Sequence, residues 1–461
     1  MSERDAILAA IADFSAGFDL SAAAVQDVEA ARLRVLDTFG AALGGFDETA
    51  SVLTRNLALR SGGPADATVF GTSCKTGIEM AAFANATASR EAEMNDVYMS
   101  RAGAGAHPSD VILPILAVCE ARNVSGRDFL AAVLVAYEIY VQMSDDLKIE
   151  GFDQTVLAGL AIAAGAARAL GLDRRGIAQA VSIAAVANNP LNQARRDRIS
   201  MWKAIASGQA GKAGVFAALA AEGGLEGPEQ PFAGSCGWLH NLAQGEGSLG
   251  RLGAGERLRI GEVAIKPRAS CQVTISAILA AEQAAARIDN PGQIAAVRVE
   301  TYAFAWQSVG SGEHRWDPQS RESADHSIPY VTAAALVDGT VGPAQFRPDR
   351  LRDPLLRQVM SRVEVVPDDE FTARHQTAVP EHHSRVTVTM KDGSEVVGRS
   401  GREHGDPSDV MNPLQVEDKF RKVAAGMLGA DRSENAIIAV RDLTDMERAG
   451  DLHALFAVNA A

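Results

Sequence analysis

The stretch Glu93-Met-Asn-Asp96-Val-Tyr-Met-Ser-Arg101-Ala-Gly-Ala-Gly-Ala-His107-Pro-Ser-Asp110 holds the residue types that acid–base chemistry needs. Two acids precede an Ala/Gly-rich arm, the arm ends in a His-Pro-Ser turn, and an apolar helix from Val111 through Cys119 follows at once. Such a loop can bring carboxylates and an imidazole to the mouth of a helical pocket, where one group takes a proton and another gives it. The structural alternative is an Asp that caps a helix and a His that packs on a turn.

Three further polar segments compete for attention. Asn188–Arg198, with Ser200-Met-Trp202-Lys203 behind it, precedes a small-residue helix. Lys203 followed by Gly208 and Gly211 can point into a cavity, donating to an anion while backbone amides approach the same group. Its alternative is an exposed lysine at a helix start. Lys266-Pro-Arg268-Ala-Ser270-Cys271 sets two cations, a hydroxyl and a thiol where a strand turns into a helix, a good place to hold a carboxylate. Cys271 reads first as a small buried residue rather than a reactive thiol. In Trp316–Tyr330 the order Asp325-His326-Ser327 invites a triad, but three contiguous residues cannot converge on one point. Asp325 and Ser327 are better helix caps, and whether His326 and Arg321 reach a site stays open. His382-His383 beside Glu381 is a surface hairpin edge rather than a metal pair, because neighbours in a strand face opposite ways.

The elements that must position these residues change character along the chain. Up to about residue 250 the spacing predicts helices over 24–43, 77–88, 111–121, 126–143, 156–170, 176–186 and 210–222, separated by Gly, Pro, Asn or Asp. Beyond that, 258–265 and 295–302 alternate as half-buried strands around a helix at 272–287. Segments 384–390 and 395–397 flank Lys391-Asp-Gly393, a hairpin signal. Helices are expected from 325 to 337 and over 354–362, then again over 416–428, 433–439 and 446–458. The expected architecture is mainly α with an α+β second domain: an all-helical domain at 1–260, an α/β module at 261–412, and C-terminal helices at 413–461 that return to the first domain.

Composition sets outer limits. Of the 461 residues 47% are hydrophobic but only 5% aromatic, so the core is Ala, Val, Leu and Ile, whose small side chains let helices approach closely. A net charge of −14 argues against nucleic acid and anionic membranes as partners, while local Lys and Arg leave a small anionic substrate open. The four widely spaced cysteines suit neither a zinc site, nor an iron–sulfur cradle, nor a disulfide framework. The acidic N-terminus has no secretory apolar region, and runs such as Leu157–Leu170 are short for a bilayer, so a soluble cytoplasmic protein is expected.

Taken in order, Leu36-Asp-Thr-Phe-Gly40-Ala-Ala-Leu43-Gly, the acidic loop through His107-Pro-Ser, Trp202-Lys203, Lys266–Cys271 and Ala324-Asp-His-Ser-Ile-Pro-Tyr330 resemble the MmgE/PrpD family across nearly the whole chain. The family includes 2-methylcitrate dehydratase, cis-aconitate decarboxylase and iminodisuccinate epimerase. The resemblance implies a large helical domain with a smaller α/β lid, a homodimer, and a site at the domain interface that works without metal or organic cofactor. It places Asp96, His107, Lys203 and Lys266 on the pocket. Departures are Glu93 where the family commonly has Asp, Val97 where decarboxylase-like members have Thr, and Asp153 and Cys271 where those members have His. Two missing imidazoles argue against decarboxylation.

The expected chemistry is proton movement at a carbon beside a carboxylate, with cations where charge develops. Lys203, Lys266 and Arg268 take that role, assisted in substrate binding by Ser270, Cys271, Glu93 and Arg101. His107 near Asp96 acts as general acid or base, and Asp153 takes the complementary part. Dehydration of a hydroxylated di- or tricarboxylate comes first, isomerisation or epimerisation second, and a silent acid-binding paralogue third.

Overall fold

A computed structural model describes residues 5–101, 105–195, 199–245, 247–402 and 409–458. The chain forms two compact units, one of residues 1–263 and 412–461, the other of 264–411. The N-terminal part of the first carries the helices α1 Ala6–Gly17, α2 Val25–Gly44, α3 Thr49–Arg60, α4 Ile78–Glu91, α5 Ile112–Arg122, α6 Gly126–Asp146, α7 Thr155–Ala169, α8 Arg174–Ala187 and α9 Trp202–Glu222. Local signals start several of them. Ser125 caps α6 by accepting from the Asp128 N–H, and Asp173 caps α8 by accepting from Gly176.

Helix α7 is apolar on every face and buried almost throughout, so it runs inside the unit rather than along it. It packs on α6 and α9, and α9 packs on α4. Glycine permits the last two approaches. A Cβ at Gly208 would lie 2.2 Å from Thr87 Oγ1 and 2.5 Å from the Phe83 carbonyl on α4, and one at Gly214 would lie 2.7 Å from Ile162 on α7. Gly208 and Gly211 therefore serve helix packing, not an anion cradle. The helix they belong to begins at Trp202 rather than near Ala210, which puts Lys203 in its first turn.

Two expected elements are replaced. Residues 258–265 are not a strand but a short 3-10 turn, Arg259–Glu262, within a loop. The backbone donors a strand would give to a neighbour go to buried carboxylates instead: Leu258 N–H to Asp27 (2.9 Å) and Arg259 N–H to Glu138 (2.8 Å). The single helix expected over 446–458 is broken into the turns Ala449–Leu452 and His453–Phe456. Its backbone is claimed elsewhere, since Ala449 N–H reaches the Val124 carbonyl and Val458 N–H that of Gly71, both at 2.8 Å. Before it, Pro413–Leu428 and Ala430–Arg441 return to the helical unit, the first lying on α2, where Gly40 lets the Phe420 ring come within 3.3 Å of a Cβ position.

The second unit carries a four-stranded mixed sheet in the order 363–367, 294–301, 384–390, 395–400. Ile294–Thr301 pairs parallel with Val363–Pro367 and antiparallel with Ser384–Met390, Val299 standing opposite both Val365 and Val386. The hairpin at Lys391-Asp-Gly393 forms as expected, with Gly393 at φ +86°. The strand at 363–367 and the short helix Asp369–His375 were not expected. Helix Ile275–Ala285 packs on the hairpin, and no helix among the described residues is long and apolar enough to cross a membrane.

Candidate functional site

Helix α4 ends with Arg90 in its last turn, and the next residues turn sharply. Glu93 stands at φ +51°, a left-handed conformation that a residue with a Cβ adopts only under constraint. The turn folds its carboxylate back on Arg90, with Nη1 to Oε2 at 2.6 Å. Lys203 reaches the same oxygen from α9 at 2.7 Å. One carboxylate oxygen is thus shared by two buried cations. Arg90 also donates through Nη1 to Asn95 Oδ1 (3.3 Å) and through Nη2 to His107 Nε2 (2.8 Å).

That last contact fixes the imidazole. A guanidinium only donates, so Nε2 accepts, and the ring proton sits on Nδ1, which donates to the Asp96 carbonyl at 2.7 Å. His107 is held as a neutral base with its lone pair facing a cation. Asp96 takes part through its backbone; its carboxylate is occupied by the Ser109 N–H (3.0 Å) and the Tyr137 hydroxyl (2.8 Å). Asp96 accordingly anchors the loop on α6 and does not touch the ring with its side chain.

Asp110, one turn beyond His107, is fully buried. Its Oδ2 accepts from Ser207 of α9 at 3.0 Å, and Oδ1 has no hydrogen-bond partner. Burial pushes its carboxyl up to about 6, against the pull of Arg90 and the Ser207 hydroxyl. Asp153, the expected second acid–base group, is differently placed. Burial works to raise it, but Arg195 (2.6 Å to Oδ2, 3.2 Å to Oδ1) and Thr155 outweigh this and hold it below the usual carboxylate range. It is a closed ion pair and starts α7, so it has no proton to give. Arg196 and Arg198 lie outside the described residues, as do 102–104 of the Ala/Gly arm. A cavity of about 530 Å³ opens between the end of α8 and the start of α9, lined by Asn188, Asn189, Leu191, Gln193 and Trp202 among others.

In the α/β unit, Lys266 is completely buried and donates to the Ser270 carbonyl (3.3 Å). The Ser270 hydroxyl and the Cys271 N–H both donate to the Asp325 carbonyl, at 2.8 and 3.1 Å. Asp325 is not a cap, since its carboxylate is bonded to His326 Nδ1; Ser327 alone caps the helix Ile328–Asp338. Arg268 forms a two-pronged pair with Glu282, at 2.6 and 2.5 Å, so its charge is matched inside the unit and not offered to a substrate. Arg101 departs further from expectation. Its side chain is 80% exposed and its ion pair is with Asp145, outside the His107 cluster. Arg321 lies over the Phe346 ring.

Residues 9–248 match the MmgE/PrpD N-terminal domain, and residues 269–445 match the MmgE/PrpD C-terminal domain. The chain belongs to the MmgE/PrpD family. It is 26% identical to the human cis-aconitate decarboxylase over 91% of this chain and 88% of that protein. It is 27% identical to the 2-methylcitrate dehydratase of Cupriavidus necator, covering 96% and 95%, and 25% identical to that of Escherichia coli K12, covering 85% and 84%.

Within this MmgE/PrpD chain, the structure gathers Glu93, His107 and Lys203, with Asp96 behind them, and groups Lys266, Ser270 and Cys271 in the other unit. Sequence reasoning missed Arg90, Asn95, Tyr137 and Asp110. Arg90 was within reach: α4 read three residues further ends with a cation facing the loop. Asp110 was passed over because a carboxylate after Pro-Ser reads as a helix-start residue.

Proposed function

We propose that this chain is a cofactor-independent lyase that dehydrates a hydroxylated di- or tricarboxylate. The observation that carries the reading is the convergence of Arg90 and Lys203 on one carboxylate oxygen beside a neutral imidazole. A substrate carboxylate offers those cations what Glu93 offers them now. As Arg90 turns to the substrate, Nε2 of His107 regains its lone pair and takes the proton from the carbon next to that carboxylate. The electron pair moves into the carboxylate as an enediolate, which Lys203 stabilises. It then forms the double bond as the β-hydroxyl departs, carrying off as water the proton that His107 returns. This single-base course fits a site in which Asp153 is locked by Arg195. It also fits membership of a family whose matched relatives are named as dehydratases and decarboxylases.

The test is a proton NMR screen in deuterated buffer with 2-methylcitrate, citrate, malates, tartrates, the aconitates and iminodisuccinate. An alkene product formed by wild type and lost in His107→Ala and Lys203→Ala is the expected result. Deuterium uptake without an alkene points to epimerisation, loss of carbon dioxide to decarboxylation, and no exchange to a silent binder; each of these sinks the dehydratase reading.

A further inference from the structure

Lys419 lies on the returning helix Pro413–Leu428, far along the chain from the acidic loop. Its ammonium is buried, and it makes two contacts: Asp37 Oδ1 on α2 at 2.5 Å and the Met94 carbonyl at 2.7 Å. Helix packing alone gives no reason for a lysine here, where an apolar side chain of similar length would spare the cost of burying two charges. The second contact supplies one. Met94 sits between Glu93, whose backbone is strained, and Asn95, whose side chain bridges Arg90 and Ser109. Asp96, which aligns His107, comes next. A lysine fixed on the Met94 carbonyl therefore holds both ends of the catalytic turn, the carboxylate that joins the cations and the carbonyl that sets the imidazole tautomer.

We propose that Lys419 is a positioning residue for the Glu93–His107 turn, with Asp37 as the counter-ion that holds its ammonium in place. The inference rests on the dehydratase reading for its kinetic consequence, but not for its structural one. Without the tether the Met94 carbonyl lacks its donor, and Glu93 relaxes towards ordinary backbone angles. Arg90 and the His107 ring then lose register together.

The single variant Lys419→Met leaves Asp37 buried without a counter-ion and can fail to fold, so the decisive variant is Lys419→Met with Asp37→Asn, which removes both charges. Asp37→Asn alone leaves the Met94 carbonyl its donor but takes away the charge that holds the ammonium there. For the double variant, kcat is expected to fall about 100-fold, the scale of a misplaced catalytic group, while KM moves far less. Amide hydrogen exchange across 92–97 is expected to quicken at least about tenfold, with exchange in α6 and α7 unchanged. Asp37→Asn alone removes the counter-ion but not the donor, and both readouts are expected to fall between wild type and the double variant. A double variant with wild-type kcat overturns the proposal, and so does one with wild-type protection of 92–97. Should wild type turn over none of the polycarboxylates, the lyase reading fails by itself. Exchange at 92–97 and the affinity for tricarballylate then decide: faster exchange with weaker binding supports the tether, and no change in either overturns it.

Discussion

Two of the buried ionic clusters in the helical unit, one around Asp145 and one around Glu93, are built differently. Asp145 spreads its load: the Tyr98 hydroxyl (2.9 Å), the Arg101 N–H (2.8 Å) and Arg259 (2.6 Å) share its two oxygens, and Arg259 is further matched by Glu262 at 2.9 Å. Burial works to raise the Asp145 carboxyl, yet these donors outweigh it and hold it below the ordinary range. At Glu93 a single oxygen serves two cations, and one of those cations also occupies the lone pair of a histidine. The first arrangement has nothing to exchange. The second is a set of contacts that an incoming carboxylate can take over one by one, which is why the proposed function rests on it and not on Asp145.

The largest effect expected from this contrast is on stability. Asp145→Asn leaves the buried Arg259 guanidinium with the half-exposed Glu262 as its remaining anion and should cost about 3 kcal/mol in denaturant unfolding, with no loss of ligand binding at the Glu93 cluster. A variant that keeps its stability but loses binding would merge the two clusters into one function. The next effect concerns pH. Asp110 ionises near 3.8 when unfolded and near 6 in the folded chain, so between those values the folded state keeps a proton that the unfolded state has lost. Its contribution to stability is whole below about pH 4, is lost as pH rises to about 6, and is constant beyond, amounting to about 3 kcal/mol at about 1.4 kcal/mol per unit. Asp110→Asn should lack that slope. Unfolding free energies measured from pH 4 to 7 that run parallel in the two proteins would show that the slope lies elsewhere. The smallest effect separates the clusters by ligand. Tricarballylate at a hundredfold excess over its Kd should stabilise wild type by about 2.7 kcal/mol. Asp145→Asn should retain that gain and Lys203→Met should lose it; retention in Lys203→Met would remove the cation pair from the binding site.

Much of the helical unit was legible because its periodicity is strong and its punctuation local: the helix predicted from 126 starts there, and the one predicted from 176 starts two residues earlier, at Arg174. What misled was backbone bonding to distant partners. Nothing in 258–265 reveals that Asp27 and Glu138 take its N–H groups, so the alternation reads as a strand. Likewise 446–458 has helical spacing but lends its backbone to Val124 and Gly71. At the site, His107, Lys203 and Glu93 were visible as residue types in suggestive company, whereas their logic was not. Arg90 sits at a helix end and Lys419 more than three hundred residues downstream, and only folding brings both to the same turn. Arg268 shows the reverse error: a cation beside a helix start promised an anion site, and Glu282, fourteen residues on, had already filled it.

Lys419 follows the α/β unit in the chain, while every side chain it steadies precedes that unit. During synthesis the helical unit therefore emerges with Asp37 unmatched and the Glu93 turn untethered, and it stays so until residues 264–411 have been made. The order of translation thus sets an order of assembly, in that the contact between Lys419 and the Met94 carbonyl cannot form before the second unit has been synthesised.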